Sequence, residues 1–155
     1  MDFREIIMKG AEALEAGNLQ EAEKHFLAAA EMDSTNYLPL YNLGLLASDQ
    51  EKLDDARTYL EKALVLKKDD ADVLTALGTV CLKGGLDSEA ESYFLKALKL
   101  GESEVLYNNM GIIAFRRKNY GRAKELYLKA LELNPGYQEA RENIALANFY
   151  LAMLT

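Results

Sequence analysis

The chain has 155 residues, half of them apolar, with a formal net charge of −7, no Trp, two Pro and one Cys. That length suits one domain with a substantial core, and the acidic balance argues against a nucleic-acid partner held through phosphate contacts. Lone Cys81 excludes an internal disulfide, and no apolar run is long enough for insertion into a membrane.

Ala, Leu, Glu and Lys dominate, which favours helix throughout. Residues 1–5 are acidic and lack a secretory apolar core, so the expected setting is cytoplasmic, or periplasmic or extracellular had a leader been removed. Phe3 to Glu15 carries Ile6, Ile7, Ala13 and Leu14 at helical spacing, and Gly17-Asn18 breaks it. Gln20 to Met32 follows, with Ala22, Phe26, Ala29 and Ala30 on one stripe. Asp33 to Asn36 is a turn with capping residues for the next helix. That helix runs from Tyr37 to Asp49, with Pro39 in its first turn, where a missing N–H does little harm. After Gln50 to Leu53 the chain resumes as helix from Asp54 to Leu66. Further helices are expected over Ala71 to Lys83, Asp87 to Lys99, Ser103 to Arg117 and Gly121 to Leu133. Gly84-Gly85 and Lys118-Asn119 are turns, and Asn134-Pro135-Gly136 is a stop.

These helices repeat. Leu40, Leu43, Gly44, Ala47, Ala56, Leu60 and Ala63 return at Leu74, Leu77, Gly78, Cys81, Ala90, Phe94 and Ala97, displaced by 34 positions. They return again at Tyr107, Met110, Gly111, Ala114, Ala123, Tyr127 and Ala130, now displaced by 33. Ile6, Gly10, Ala13, Ala22, Phe26 and Ala29 form an upstream copy. The lost residue belongs to the connection around Leu100-Gly101-Glu102, because the gap of 12 between each Gly and its Ala is kept. A period of this length marks a solenoid of helix-turn-helix units, an all-α fold whose business is to present a surface. Gly in mid-helix costs roughly 1 kcal/mol against Ala, so Gly10, Gly44, Gly78 and Gly111 imply a close helix crossing. Ala22, Ala56, Ala90 and Ala123 are expected to face them, while Phe26, Leu60, Phe94 and Tyr127 fill the space between units.

The pattern resembles the tetratricopeptide repeat family. Its clearest copies are Leu40-Tyr41-Asn42-Leu43-Gly44 with Ala56 and Ala63, and Tyr107 to Gly111 with Ala123, Tyr127, Ala130 and Pro135. The resemblance covers repeats at about 3–36, 37–70, 71–103 and 104–137, with a closing helix over 138–154. Lys9 stands where Leu is usual, and small residues Ala13, Ala47, Cys81 and Ala114 replace the usual Tyr. It implies a right-handed α-solenoid with the first helix of each unit lining a concave groove. The groove positions carried over include Leu38, Tyr41, Asn42, Leu45, Ser48 and Asp49, then Asp72, Thr75, Thr79, Leu82 and Lys83. In the fourth unit they are Val105, Asn108, Asn109, Ile112, Phe115 and Arg116. The clamp with which some relatives grip a chaperone C-terminus is absent: Asn42 matches, but Ile7, Ala11, Asp72 and Ala76 stand where Lys, Asn, Lys and Arg belong.

An apolar groove rimmed with Asn and Arg suits an amphipathic helix or an extended peptide. The same residues could instead pack helix on helix, since spacing does not fix helix rotation. The chain is therefore read as a non-catalytic adaptor whose candidate peptide-binding residues are Tyr41, Asn42, Leu45, Thr79, Leu82, Asn108, Asn109, Ile112, Phe115 and Arg116. A second reading is self-assembly. The segment 144–154 is apolar almost all round, which is odd for a terminal helix: either it packs against another subunit, with Leu146, Phe149, Tyr150, Leu151, Met153 and Leu154 as its candidate self-association residues, or the chain is a fragment of a longer array.

Charge is uneven. Residues 1–36 carry eight acidic against three basic side chains, and residues 104–137 carry three against six. The basic cluster Arg116-Arg117-Lys118 with Arg122 and Lys124 suits either a solvated helix end or an acidic partner. No catalytic constellation, metal set or cofactor motif is expected. His25 stands alone among charged neighbours, Cys81 replaces a packing residue, and Gly84-Gly85 lacks the context of a phosphate loop.

Overall fold

The computed structural model describes residues 1–155 and is 79% helical, with nine helices and no strand. Four antiparallel pairs follow one another: α1 (Phe3–Glu15) with α2 (Leu19–Met32), α3 (Leu38–Asp49) with α4 (Leu53–Leu66), α5 (Ala71–Lys83) with α6 (Asp87–Leu100), and α7 (Glu104–Arg116) with α8 (Tyr120–Leu133). A single helix, α9 (Gln138–Met153), follows the fourth pair. The arrangement is an α-solenoid.

Caps account for where the helices start. Asp2 and Glu5 close a capping box on α1, with bonds of 2.9 and 3.0 Å. Asp70 accepts from the Val73 N–H at 2.9 Å and Ser103 from the Leu106 N–H at 3.1 Å. Asn18 and Asn119 cap α2 and α8, so those helices begin at Leu19 and Tyr120, one residue before the expected starts. α3 begins one residue late, because Asn36 accepts from the Leu38 N–H at 3.0 Å and holds Tyr37 outside. The shortened period lies where the spacing puts it: the link before α7 is 101–103, against 67–70 before α5.

Each first helix ends in the same turn. The residues at φ 77° (Gly17), 59° (Glu51), 78° (Gly85) and 62° (Lys118) occupy one repeat position. The following N–H reaches back to the carbonyl of Ala13, Ala47, Cys81 or Ala114 at 2.8 to 2.9 Å, a Schellman closure that satisfies orphan carbonyls. Gly17 and Gly85 enter the left-handed region freely, whereas Glu51 and Lys118 hold it at a cost of roughly 1 kcal/mol each.

Inside each pair, the expected partner of the glycine is wrong. It is not the alanine that lies over Gly10, Gly44, Gly78 and Gly111 but the large side chain of the second helix, Phe26, Leu60, Phe94 and Tyr127 respectively. A Cβ built on Gly44 would stand 2.5 Å from Leu60 Cγ, and one on Gly10 would stand 2.5 Å from the Phe26 ring. The missing Cβ makes a notch, and a ring or a branched side chain fills it better than a methyl group would. The alanines are fully buried and work at the next junction. Ala56 and Ala63 share a cluster with Leu60 and with Val73, Ala76, Leu77 and Val80 of α5, and Ala90, Phe94 and Ala97 one with Leu106 and Ile113 of α7.

The backbones of neighbouring first helices approach one another, α3 with α5, α5 with α7 and α7 with α9, while successive second helices lie further apart, α4 reaching α6 through the long side chains of Arg57 and Glu89 at 2.6 Å. The first helices are therefore on the inner side of the curve. Cations tie them together. Lys83 Nζ donates to the Ser48 carbonyl and Oγ at 3.2 Å, and at the equivalent place one unit on, Arg116 Nη1 donates to the Leu82 carbonyl at 3.0 Å. Each sits at the C-terminal end of the preceding first helix, where positive charge is favoured.

Candidate functional site

On the inner side, α3, α5 and the start of α7 enclose an open recess of about 370 Å³. Tyr41, Leu45, Ser48 and Asp49 form one wall and Ser103, Glu104 and Val105 the other. The floor is α5, through Asp72, Thr75, Ala76, Thr79, Val80 and Lys83. Two hydroxyls on the floor are already committed, Thr75 to the Ala71 carbonyl at 2.7 Å and Thr79 to the Thr75 carbonyl at 2.9 Å. Leu45 and Val105 are the apolar walls, 36% and 38% exposed. The Tyr41 phenol is held above its ordinary value, by burial first and then by the charges of Asp72 and Asp70.

The structure brings together three of the ten expected groove residues, Tyr41, Leu45 and Thr79. Others are placed elsewhere. Leu82 is buried in the core with Leu74, Cys81, Phe94 and Leu106, because its helix is rotated to turn it inward. Asn108 is fully buried, accepting from Asn143 Nδ2 of α9 at 2.9 Å, and its own Nδ2 has no partner. Asn109 is buried too and donates to Thr79 Oγ1 at 3.1 Å, joining α7 to α5. Asn42 and Ile112 are half-buried, Ile112 against the core. Phe115 stands edge-on to Tyr120 and Tyr150, with ring centroids 5.0 and 5.3 Å away. Arg116 is exposed but spent on Leu82 and on Asp87 at 2.7 Å. Val80, Ser103 and Glu104 line the recess without having been expected there. Glu104 is the signal that was available, an acid in the first turn of α7 beside Val105.

The other two arginines of the basic cluster are also spent within the chain, while Lys118 and Lys124 form no ion pair. Arg117 pairs with Glu91 at 2.7 Å and Arg122 with Glu125 at 3.1 Å. A second recess of about 370 Å³ lies beside these pairs, over Met110, Ile113 and Leu126. His25 lies on α2, 3.6 Å from Glu21, and Cys81 is buried, its thiol pushed up chiefly by burial. No helix is long and apolar enough to cross a membrane.

On α9 only Ala140 and Ala147 are buried. Leu146, Phe149, Met153 and Leu154 are 46%, 59%, 68% and 72% exposed. Two of the expected self-association residues are partly used at home: Tyr150 stacks on Tyr120 with centroids 4.9 Å apart, and Leu151 is half-buried.

Family models described as tetratricopeptide repeat match residues 41–104 and residues 105–137. DnaJ homolog subfamily C member 3 of Mus musculus is 33% identical over 103 residues, which cover 66% of this chain and 20% of that protein. Protein O-mannosyl-transferase TMTC1 of Homo sapiens is 31% identical over 154 residues, 92% of this chain and 17% of that one. The chain thus spans about a fifth of the length of these curated relatives. Among solved structures, PilW, a type IV pilus biogenesis factor, superposes with a TM-score of 0.88 at 20% identity, covering 95% of this chain and 69% of that chain. At that identity the likeness is one of fold.

Proposed function

Because this chain belongs to the tetratricopeptide repeat family, whose fold is a scaffold for protein–protein interaction, we propose that it is a non-catalytic adaptor binding a peptide segment of another protein on its inner side. The observation that carries this reading is the open recess over α5, with Leu45 and Val105 exposed on facing walls. Apolar side chains left in a concave surface favour an apolar occupant. The recess is at the small end of ligand sites, roughly 300–1,000 Å³, so a short segment anchors there rather than a whole domain. The test is affinity capture from the source cell with three proteins: wild type, Leu45→Arg/Val105→Arg, and Val65→Arg. Val65 is 74% exposed on α4 and serves as the outer-face control. The double variant is expected to lose its partners by at least about tenfold, or ~1.4 kcal/mol, with its helical circular dichroism intact. Equal recovery from all three would remove the groove from consideration.

A second reading has its own observation. The bare side of α9 exposes Leu146, Phe149, Met153 and Leu154 together, and contiguous exposed apolar side chains mark a surface that another protein chain covers. Self-association through α9 predicts a dimer or larger species at micromolar concentration by size exclusion with light scattering. Phe149→Glu/Met153→Glu is expected to be monomeric and folded. A wild type that elutes as a monomer throughout that range would end this reading.

A further inference from the structure

The recess carries more information than its shape. Three carboxylates stand on its lining, Asp49 at the end of α3, Asp72 on α5 and Glu104 at the start of α7. None of them forms an ion pair, although seven ion pairs of Lys or Arg join other side chains. The only cation on the lining, Lys83, is turned back onto Ser48 and lies 3.8 Å from Glu51. Helix chemistry explains two of the acids, since Asp72 and Glu104 lie in first turns, where negative charge is favoured. It does not explain Asp49, the last residue of α3, where the helix field opposes a negative charge. The equivalent positions of α5 and α7 hold Lys83 and Arg116, each bonded to a carbonyl of the helix before it. At this position the first two units both carry an acid without an ion pair, Glu15 and Asp49, and Asp49 is the one that opens on the recess.

We propose that the recess docks a short cationic segment of a partner protein, with an apolar side chain seated between Leu45 and Val105 and a Lys or Arg on either side of it. Asp49 meets one cation at one end, and Asp72 with Glu104 meets the other. The proposal rests on the adaptor reading above and adds to it the charge of the partner. The Tyr41 phenol, raised first by burial and then by the charges of Asp72 and Asp70, lies beside the same acids. In a concave site such charges steer an oppositely charged partner and reject an acidic one.

The test uses fluorescein-labelled Ala-rich peptides that carry one Leu between two Lys, with twins in which Glu or Gln replaces Lys. Anisotropy is read in low salt and again at about 0.5 M salt, where exposed charges are screened. Wild type is expected to bind the Lys peptide at least about tenfold tighter than the Glu twin, with the gap closing in high salt. Asp49→Asn/Asp72→Asn/Glu104→Gln is expected to bind all three peptides alike. A control with the same change in net charge, Glu31→Gln/Asp54→Asn/Asp55→Asn, is expected to behave as wild type. If the Glu or Gln twin binds as well as the Lys peptide, the preference for a cation is overturned while binding in the groove stands. If both neutralised proteins weaken equally, attraction is to the acidic chain as a whole and the inference is overturned. If no peptide binds, the inference fails, and the capture experiment with Leu45→Arg/Val105→Arg decides the adaptor reading by itself.

Discussion

Gly78→Leu is expected to destabilise the protein by about 3 kcal/mol or more, at the upper end of overpacking costs. A Cβ at this position would stand 2.6 Å from Phe94 Cδ1 and 2.9 Å from its Cζ, before any further atom of the leucine is placed. The ring has nowhere to go, because Phe94 and the flanking Ala90 and Ala97 are all at 0% exposure. For a chain of this length, 3 kcal/mol corresponds to a fall of roughly 6–12 °C in Tm. Thermal melts and urea titrations followed by circular dichroism would measure it. Gly121→Ala is the control: nothing lies within 4 Å of the added Cβ, and alanine is the better helix former by up to ~1 kcal/mol. Position along the stack should also show. In a solenoid each unit leans only on its neighbours, so Gly10→Leu should loosen the first pair alone, whereas Gly78→Leu separates two halves of the molecule. A Gly78→Leu protein melting within a degree or two of wild type would show that the ring does not sit on the glycine.

That packing was half legible in the sequence. Recurrence of Gly, Ala and a large side chain in phase announced the paired helices, their number and the shortened link at 101–103. It did not say which of two residues, one helical turn apart, lies over the glycine, because both face the same way and only the depth of the notch decides between them. The groove suffered from a related difficulty. Leu82 and Thr79 are three residues apart on α5, yet Leu82 is buried in the core and Thr79 opens on the recess. A small rotation of the helix makes that difference, and hydrophobic spacing does not resolve it. Asn108 and Asn109 look like ligand-binding amides on paper. In the structure they are joints between first helices, bonded to Asn143 and Thr79. Arg116 was misleading for another reason: a cation at a helix end is drawn to the nearest free carbonyls, and here these belong to the preceding unit. Two acids of the recess, Asp49 and Asp72, by contrast, lay at positions the repeat pattern assigns to the groove, and Glu104 is next to one, Val105. Their lack of partners became visible only once every nearby cation had been traced.

Alkaline pH should weaken the fold, and Tyr127→Phe should remove a good part of that weakness. The Tyr127 ring fills the Gly111 notch, which leaves the side chain 2% exposed, and burial alone pushes its phenol from 10.0 up to about 12. Burial penalises the phenolate, so the folded state holds its proton at a pH where the unfolded chain has released it. The sign follows from linkage: the contribution is complete below the unfolded value near 10 and is lost as pH rises towards 12. A shift of this size is worth on the order of 2–3 kcal/mol when fully expressed, and about half of that near pH 11. Tyr137, also raised to about 12 by burial and by its bond to Glu139, adds a loss of the same sign that the substitution leaves in place. At neutral pH Tyr127→Phe should change stability little, because the ring and its fit to Gly111 are retained. Urea unfolding at pH 8 and at pH 11 separates the two cases. Wild type should lose more stability between them than Tyr127→Phe, by about 1 kcal/mol or more. Equal losses in the two proteins would mean that the phenol reaches water and that the second helix of the fourth pair is less tightly closed on α7 than its neighbours are on theirs.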